Sequence, residues 1–106
     1  MITPGHETNN ISFTEGAALT KRFRDQMKLG QHLGGLIGKA AFTALLEQEG
    51  CVGVRYYFGL NGDNESEIVF VGVDADGNDL IGDDKLCLDK ADKCPPNCGD
   101  LNILNS

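Results

Sequence analysis

The hydrophobic patterning of the chain predicts an α+β domain. Two N-terminal helices pack on a small antiparallel three-stranded meander, and an irregular, cysteine-bearing C-terminal tail follows. Three observations carry this expectation. Apolar residues recur at helical spacing between residues 17 and 46, and they alternate at strand spacing from Cys51 to Val73. An Asp76-Gly77 pair then interrupts the alternation where a hairpin would turn. At 106 residues the chain fits one domain, with a flexible N-terminus over 1–11, a helix-helix-meander core over 12–82 and the tail over 83–106.

Ser12 followed three residues later by Glu15 has the spacing of a capping box, in which each side chain satisfies the other's free backbone N–H. Leu19, Phe23 and Met27 then recur every four residues and, with Ala17, make one apolar stripe, so a helix is expected from about residue 13 to 28. Gly30, Gly34 and Gly35 mark a break. The second helical pattern is the stronger one, with Leu33, Leu36, Ile37, Ala40, Ala41, Ala44 and Leu45 on a single face that Phe42 and Leu46 widen. Gly50 stands where a left-handed residue would end that helix. Inside it, Gly38 costs about 1 kcal/mol relative to Ala, and a close crossing of another backbone is the expected reason for it.

Alternation then takes over. Val52, Val54, Tyr56 and Phe58 fall on one face of a strand, and Cys51, Gly53, Arg55 and Tyr57 on the other. After the polar loop "NGDNES", a second strand is expected from about 67 to 74 and a short third one near 79 to 82, joined by a type I′ turn at Asp76-Gly77. Three strands leave two edges, to be covered by the tail or by a second copy in a homodimer.

The net charge is −7, and it is uneven: residues 1–59 are about neutral, whereas residues 60–106 hold three basic and eleven acidic residues. Lys21, Arg22, Arg24 and Lys28 share one predicted helix and read as a solvated face rather than a phosphate-binding stripe, so no nucleic-acid partner is expected. No apolar run approaches the ~18 residues that span a bilayer, so no membrane span is expected either. The first ten residues hold no basic cluster and no apolar segment of a secretory signal, which makes the cytoplasm the default compartment.

Signatures of chemistry are sparse. Counting a calcium loop from Asp74 puts Asp79 where the loop needs Gly and Lys85 where it needs a bidentate Glu, so Asp76 and Asn78 read as turn residues. His6 and His32 neighbour no cysteine or serine in a nucleophile signature, and "GGLIGK" is followed by Ala40 rather than the Ser or Thr of a phosphate loop. No catalytic residue and no cofactor are expected, with zinc the one exception to consider. Cys94 and Cys98, in "CPPNC", have chelate spacing and would need Cys87 and Cys51 to complete a tetrahedron, so the four cysteines are half a motif. A disulfide or reduced structural thiols are expected in preference to the metal, and three intervening residues depart from the Cys-x-x-Cys of a redox pair.

In the order "GCVGVRYYFGL", "VFVGVDADGND" and "CPPNC", after a capped helix ending in "LTKRFR", these segments resemble a family of small bacterial proteins of about this length. The resemblance runs from about Ile11 to Cys98 and implies that the helix pair, the hairpin and the Cys-Pro-Pro tail belong together. The family has no established activity, so no site residue follows from it. A non-enzymatic interaction or accessory module, acting on a protein partner, is the leading expectation. A zinc-binding or thiol-dependent redox protein using the C-terminal cysteines is the alternative.

Overall fold

A computed structural model describes residues 2–27 and 31–106. Its elements are, in chain order, α1 (Phe13–Gln26), β1 (Gly34–Leu36), α2 (Lys39–Leu46), β2 (Gly53–Leu60), β3 (Ser66–Val73), β4 (Cys87–Leu88) and β5 (Asp92–Cys94). They form a mixed fold of two helices and two small antiparallel sheets, ordered β2-β3-β4 and β1-β5. The chain divides into two compact units, Met1–Thr8 with Ile37–Lys90 and Asn9–Leu36 with Ala91–Ser106.

In the first unit β2 and β3 form a hairpin whose register runs from Gly53↔Val73 to Leu60↔Ser66. Asn61 shapes the connection, its Oδ1 accepting from the N–H groups of Asp63 and Glu65. On the sheet lies α2. The ring of Phe42 meets that of Phe70 edge to face at 5.8 Å, and Leu45 is fully buried. Val71 and Val73 complete the buried apolar set among the described residues. Gln48 fastens the helix end, donating to the Leu45 carbonyl at 3.0 Å and accepting from the Leu86 N–H at 2.8 Å.

Several expectations change here. The third strand of the meander is β4, paired as Phe70↔Leu88 and Val71↔Cys87, whereas residues 79–82 contribute only the isolated bridge Val73↔Asp79. The turn is not type I′, because Gly77 (φ +84°) takes a left-handed conformation and Asp76 does not. Asp74 governs it instead. Its carbonyl accepts from Gly77 N–H, and its carboxylate accepts from the N–H groups of Asp76 and Asn78, an Asx turn closed by Gly77. The tail is likewise not wholly irregular, since it supplies β4 to one unit and β5 to the other.

In the second unit Ser12 caps α1, its hydroxyl oxygen accepting from Glu15 N–H at 3.0 Å. The reciprocal contact is not the backbone one expected of a capping box: Glu15 Oε1 takes the Ser12 hydroxyl itself. Leu19 and Phe23, on the expected apolar stripe, remain exposed. Lys21 pairs with Asp25 at i,i+4, and Arg24 donates to the Leu104 carbonyl at 2.7 Å, while Lys28 lies outside the described residues. α1 groups with residues 91–106 in this unit.

The second helical pattern is overridden at its start. Gly34, Gly35 and Leu36 form β1 and pair with Cys94, Lys93 and Asp92. Two adjacent glycines give a helix no side-chain packing and cost it about 1 kcal/mol each. In the strand pair, a glycine is what fits: a Cβ on Gly35 would lie 2.7 Å from the Ala91 Cβ. The close approach expected at Gly38 is therefore at Gly35. Gly38 is the N-cap of α2, and a Cβ there would meet nothing within 4 Å.

Candidate functional site

Three groups of residues are candidates for function, and two of them share β2. The cysteine loop comes first. Cys94, at the end of β5, is joined to Cys98 in a disulfide across Pro95, Pro96 and Asn97, and both cysteines are half-buried. Asn97 closes the loop, its N–H donating to the Lys93 carbonyl and its side-chain amide to Asp92 Oδ1. The chain before β1 holds it from the other side, with Leu33 N–H donating to the Cys94 carbonyl and His32 Nδ1 lying 2.8 Å from the Pro95 carbonyl. A carbonyl can only accept, so this contact makes Nδ1 the protonated nitrogen. Sequence spacing had given no reason to bring His32 to "CPPNC"; the β1-β5 pairing does it.

The four cysteines proposed as a zinc set divide between the units. Cys94 and Cys98 are bonded to each other in one unit; Cys51, half-buried with its thiol donating to the Gly53 carbonyl, and exposed Cys87 are free thiols in the other. Among the described residues no group of three or more His, Cys, Asp and Glu side chains is placed to hold a metal ion.

A polar cluster that the sequence reading missed sits on one face of the hairpin. Arg55 and Tyr57, two residues apart on β2, point to the same side and converge on Asp79 beyond the turn. Arg55 Nη1 lies 2.6 Å from Asp79 Oδ1 and also donates to the Gly77 carbonyl, while the Tyr57 hydroxyl donates to Asp79 Oδ2 at 2.5 Å. The Tyr57 hydroxyl and then the Arg55 guanidinium hold the Asp79 carboxyl below its ordinary value. In return, the bond to Asp79 holds both the Tyr57 phenol and the Arg55 guanidinium above theirs. Every charge in the cluster has a partner, so it fixes the turn against the strand.

The third candidate is the outer edge of β2. Leu80 N–H donates to the Gly72 carbonyl, so the backbone groups of Gly72 face away from β2. By the alternation of an antiparallel ladder, Val73, Val71, Val69 and Glu67 face β2 and engage Gly53, Arg55, Tyr57 and Gly59. Val54, Tyr56, Phe58 and Leu60 then direct their N–H and C=O groups outward, where no strand among the described residues pairs with them. Their side chains share one face. The rings of Tyr56 and Phe58 meet at 5.6 Å, yet Tyr56, Phe58 and Leu60 remain 57%, 83% and 70% exposed. At the start of this edge Gly5 packs against Val52.

Comparison with protein-family models, curated proteins and solved structures finds no match to this chain. No helix among the described residues is long and apolar enough to cross a membrane.

Proposed function

We propose that the protein is a non-enzymatic interaction module that accepts an extended strand along the free edge of β2. The observation that supports this reading is the edge itself, an eight-residue strand in which Val54, Tyr56, Phe58 and Leu60 direct their backbone groups outward and Tyr56, Phe58 and Leu60 keep exposed apolar side chains. Strand addition needs those two properties, because main-chain hydrogen bonds supply affinity and alternate side chains supply selectivity. Edges left idle are normally protected by proline, lysine, a bulge or a short length, and residues 53–60 contain neither proline nor lysine. To test the reading, extended peptides would be selected from a displayed library on the purified protein. Phe58→Lys is expected to abolish binding of the selected peptides, and binders indifferent to that substitution would count against it.

The Cys94–Cys98 disulfide favours a second reading, a thiol-dependent redox protein. A dithiol reductant would take up the oxidation, leaving two thiols at Cys94 and Cys98 and a disulfide in the donor. Zinc binding by Cys94 and Cys98 would require that reduction first, since thiolate is the ligand. Free-thiol counting across a glutathione redox series tests it. Two titrating thiols within the cellular range support redox function, and a disulfide that resists reduction throughout makes the bond purely structural.

A further inference from the structure

We infer that the occupant of the β2 edge is the same edge of a second copy, giving an antiparallel dimer with one continuous six-stranded sheet. This rests on the reading of β2 as a docking strand and names the partner. The edge is self-complementary. When two copies pair about a twofold axis at Tyr57, Val54 faces Leu60 of the other copy and Tyr56 faces its Phe58, so the outward backbone groups of all four residues find partners. On that face an aromatic side chain meets an aromatic one at each crossing of Tyr56 and Phe58, a favourable cross-strand pair.

Charge points the same way. Arg55 is the single formal charge on β2; in this register it faces Gly59 of the other copy, and its own Asp79 already neutralises it. No unsatisfied charge is left on the strand to specify an acidic or basic partner, and no like charges meet across the axis. Aromatic side chains carry ~150–250 Å² each. The exposed shares of Tyr56, Tyr57, Phe58 and Leu60 offer at most on the order of 500 Å² per copy, so the pair buries up to the ~1,000 Å² at which specific interfaces begin.

Each copy also carries a net charge of −7, so long-range repulsion opposes pairing. Raising salt from about 0.01 M to about 0.15 M shortens the screening length from ~30 Å to ~8 Å, and the dimer fraction should rise with it. An interface held by opposite charges would respond in the opposite sense.

The test is sedimentation of the full chain from about 1 μM to about 1 mM, a span covering weak and moderate affinities, combined with amide exchange at both ends of the range. The expected result is a mass that climbs from 11.4 kDa toward twice that value, with slowed exchange at Val54, Tyr56, Phe58 and Leu60 only at high concentration. Phe58→Lys, at an exposed position where the fold has nothing to lose, should shift the midpoint at least tenfold; Phe13→Lys, equally exposed in the other unit, should not. A protein monomeric throughout overturns the inference, as does a dimer insensitive to Phe58→Lys, or protection of these amides that does not depend on concentration. If a monomeric protein still binds displayed peptides in a Phe58-dependent way, the docking reading stands and only the second copy falls; if neither occurs, both fall.

Discussion

Replacing Leu45 by alanine probes whether the small core of the first unit is built as described. Leu45 is fully buried, whereas its neighbour Leu46 is 45% exposed, so the two positions differ in burial while sharing residue type, helix and sequence context. Truncation removes three carbons, worth about 2.4 kcal/mol of transfer free energy at ~0.8 kcal/mol each. The space left behind adds to this, because a sheet and a helix cannot fully collapse around it, giving about 3–4 kcal/mol in all. Leu46→Ala, which keeps much of its surface in water in either state, should cost about 1 kcal/mol. Domains of this size are stable by only ~5–15 kcal/mol, so Leu45→Ala removes more than half at the lower end. Urea unfolding followed by tyrosine fluorescence suits the question. The chain has no tryptophan, and its two tyrosines, Tyr56 and Tyr57, both lie on β2 and so report the unit that holds Leu45. Equal shifts for the two variants, or a loss below about 1 kcal/mol for Leu45→Ala, would refute the packing argument.

Other consequences can be checked in the same assay. Replacing both Cys94 and Cys98 by serine opens a loop with a sequence separation of four, and the chain-entropy model puts the loss at about 2 kcal/mol; a far-ultraviolet circular dichroism melt of the variant against the oxidised protein would show it. Gly72→Ala places a Cβ 2.9 Å from Gln48 Nε2, 3.1 Å from Cys51 Sγ and 3.2 Å from Leu80 Cδ1, and crowding of this kind should cost about 1–3 kcal/mol by urea midpoint. For Asp79, whose folded-state carboxyl is held below its unfolded value, stability is present above the unfolded value and is lost as pH falls through the folded one. Tyr57 has the opposite sign: its phenol is raised, so its contribution is present below the unfolded value and is lost as pH rises through the folded one. Tyr57→Phe should therefore flatten both limbs of a stability profile measured from acid to alkaline pH, and an unchanged profile would show that the cluster is not formed in solution.

Much of this architecture was legible locally. The Ser12 cap, the α1 span and the β2 and β3 strands follow from short-range patterns, because capping and alternation depend on residues within one turn or one pleat. Helical periodicity from Leu33 to Ile37 misled for a physical reason. A glycine pair weakens the helix by about 1 kcal/mol per residue, and a partner strand some 60 residues later in the chain decided for β1. The third strand was misplaced by a similar cause, since a two-residue strand carries no period and is chosen by the sheet it joins.

Of the candidate sites, the sequence by itself determined the inventory: four cysteines with one close pair, an arginine and a tyrosine at strand spacing, and apolar residues at alternate positions from Val52 to Leu60. It also determined that a three-stranded sheet would have edges to cover. Only the tertiary structure decided that Cys94 bonds to Cys98 while Cys51 and Cys87 lie in another unit, that Asp79 reaches Arg55 and Tyr57, and that β2 rather than β3 keeps its outer edge unpaired. The reason is common to all three. Spacing along a chain fixes which residues can share a face, but convergence across a turn or a sheet depends on contacts between residues far apart in sequence, whose loop-closure entropy must be repaid by the whole fold at once.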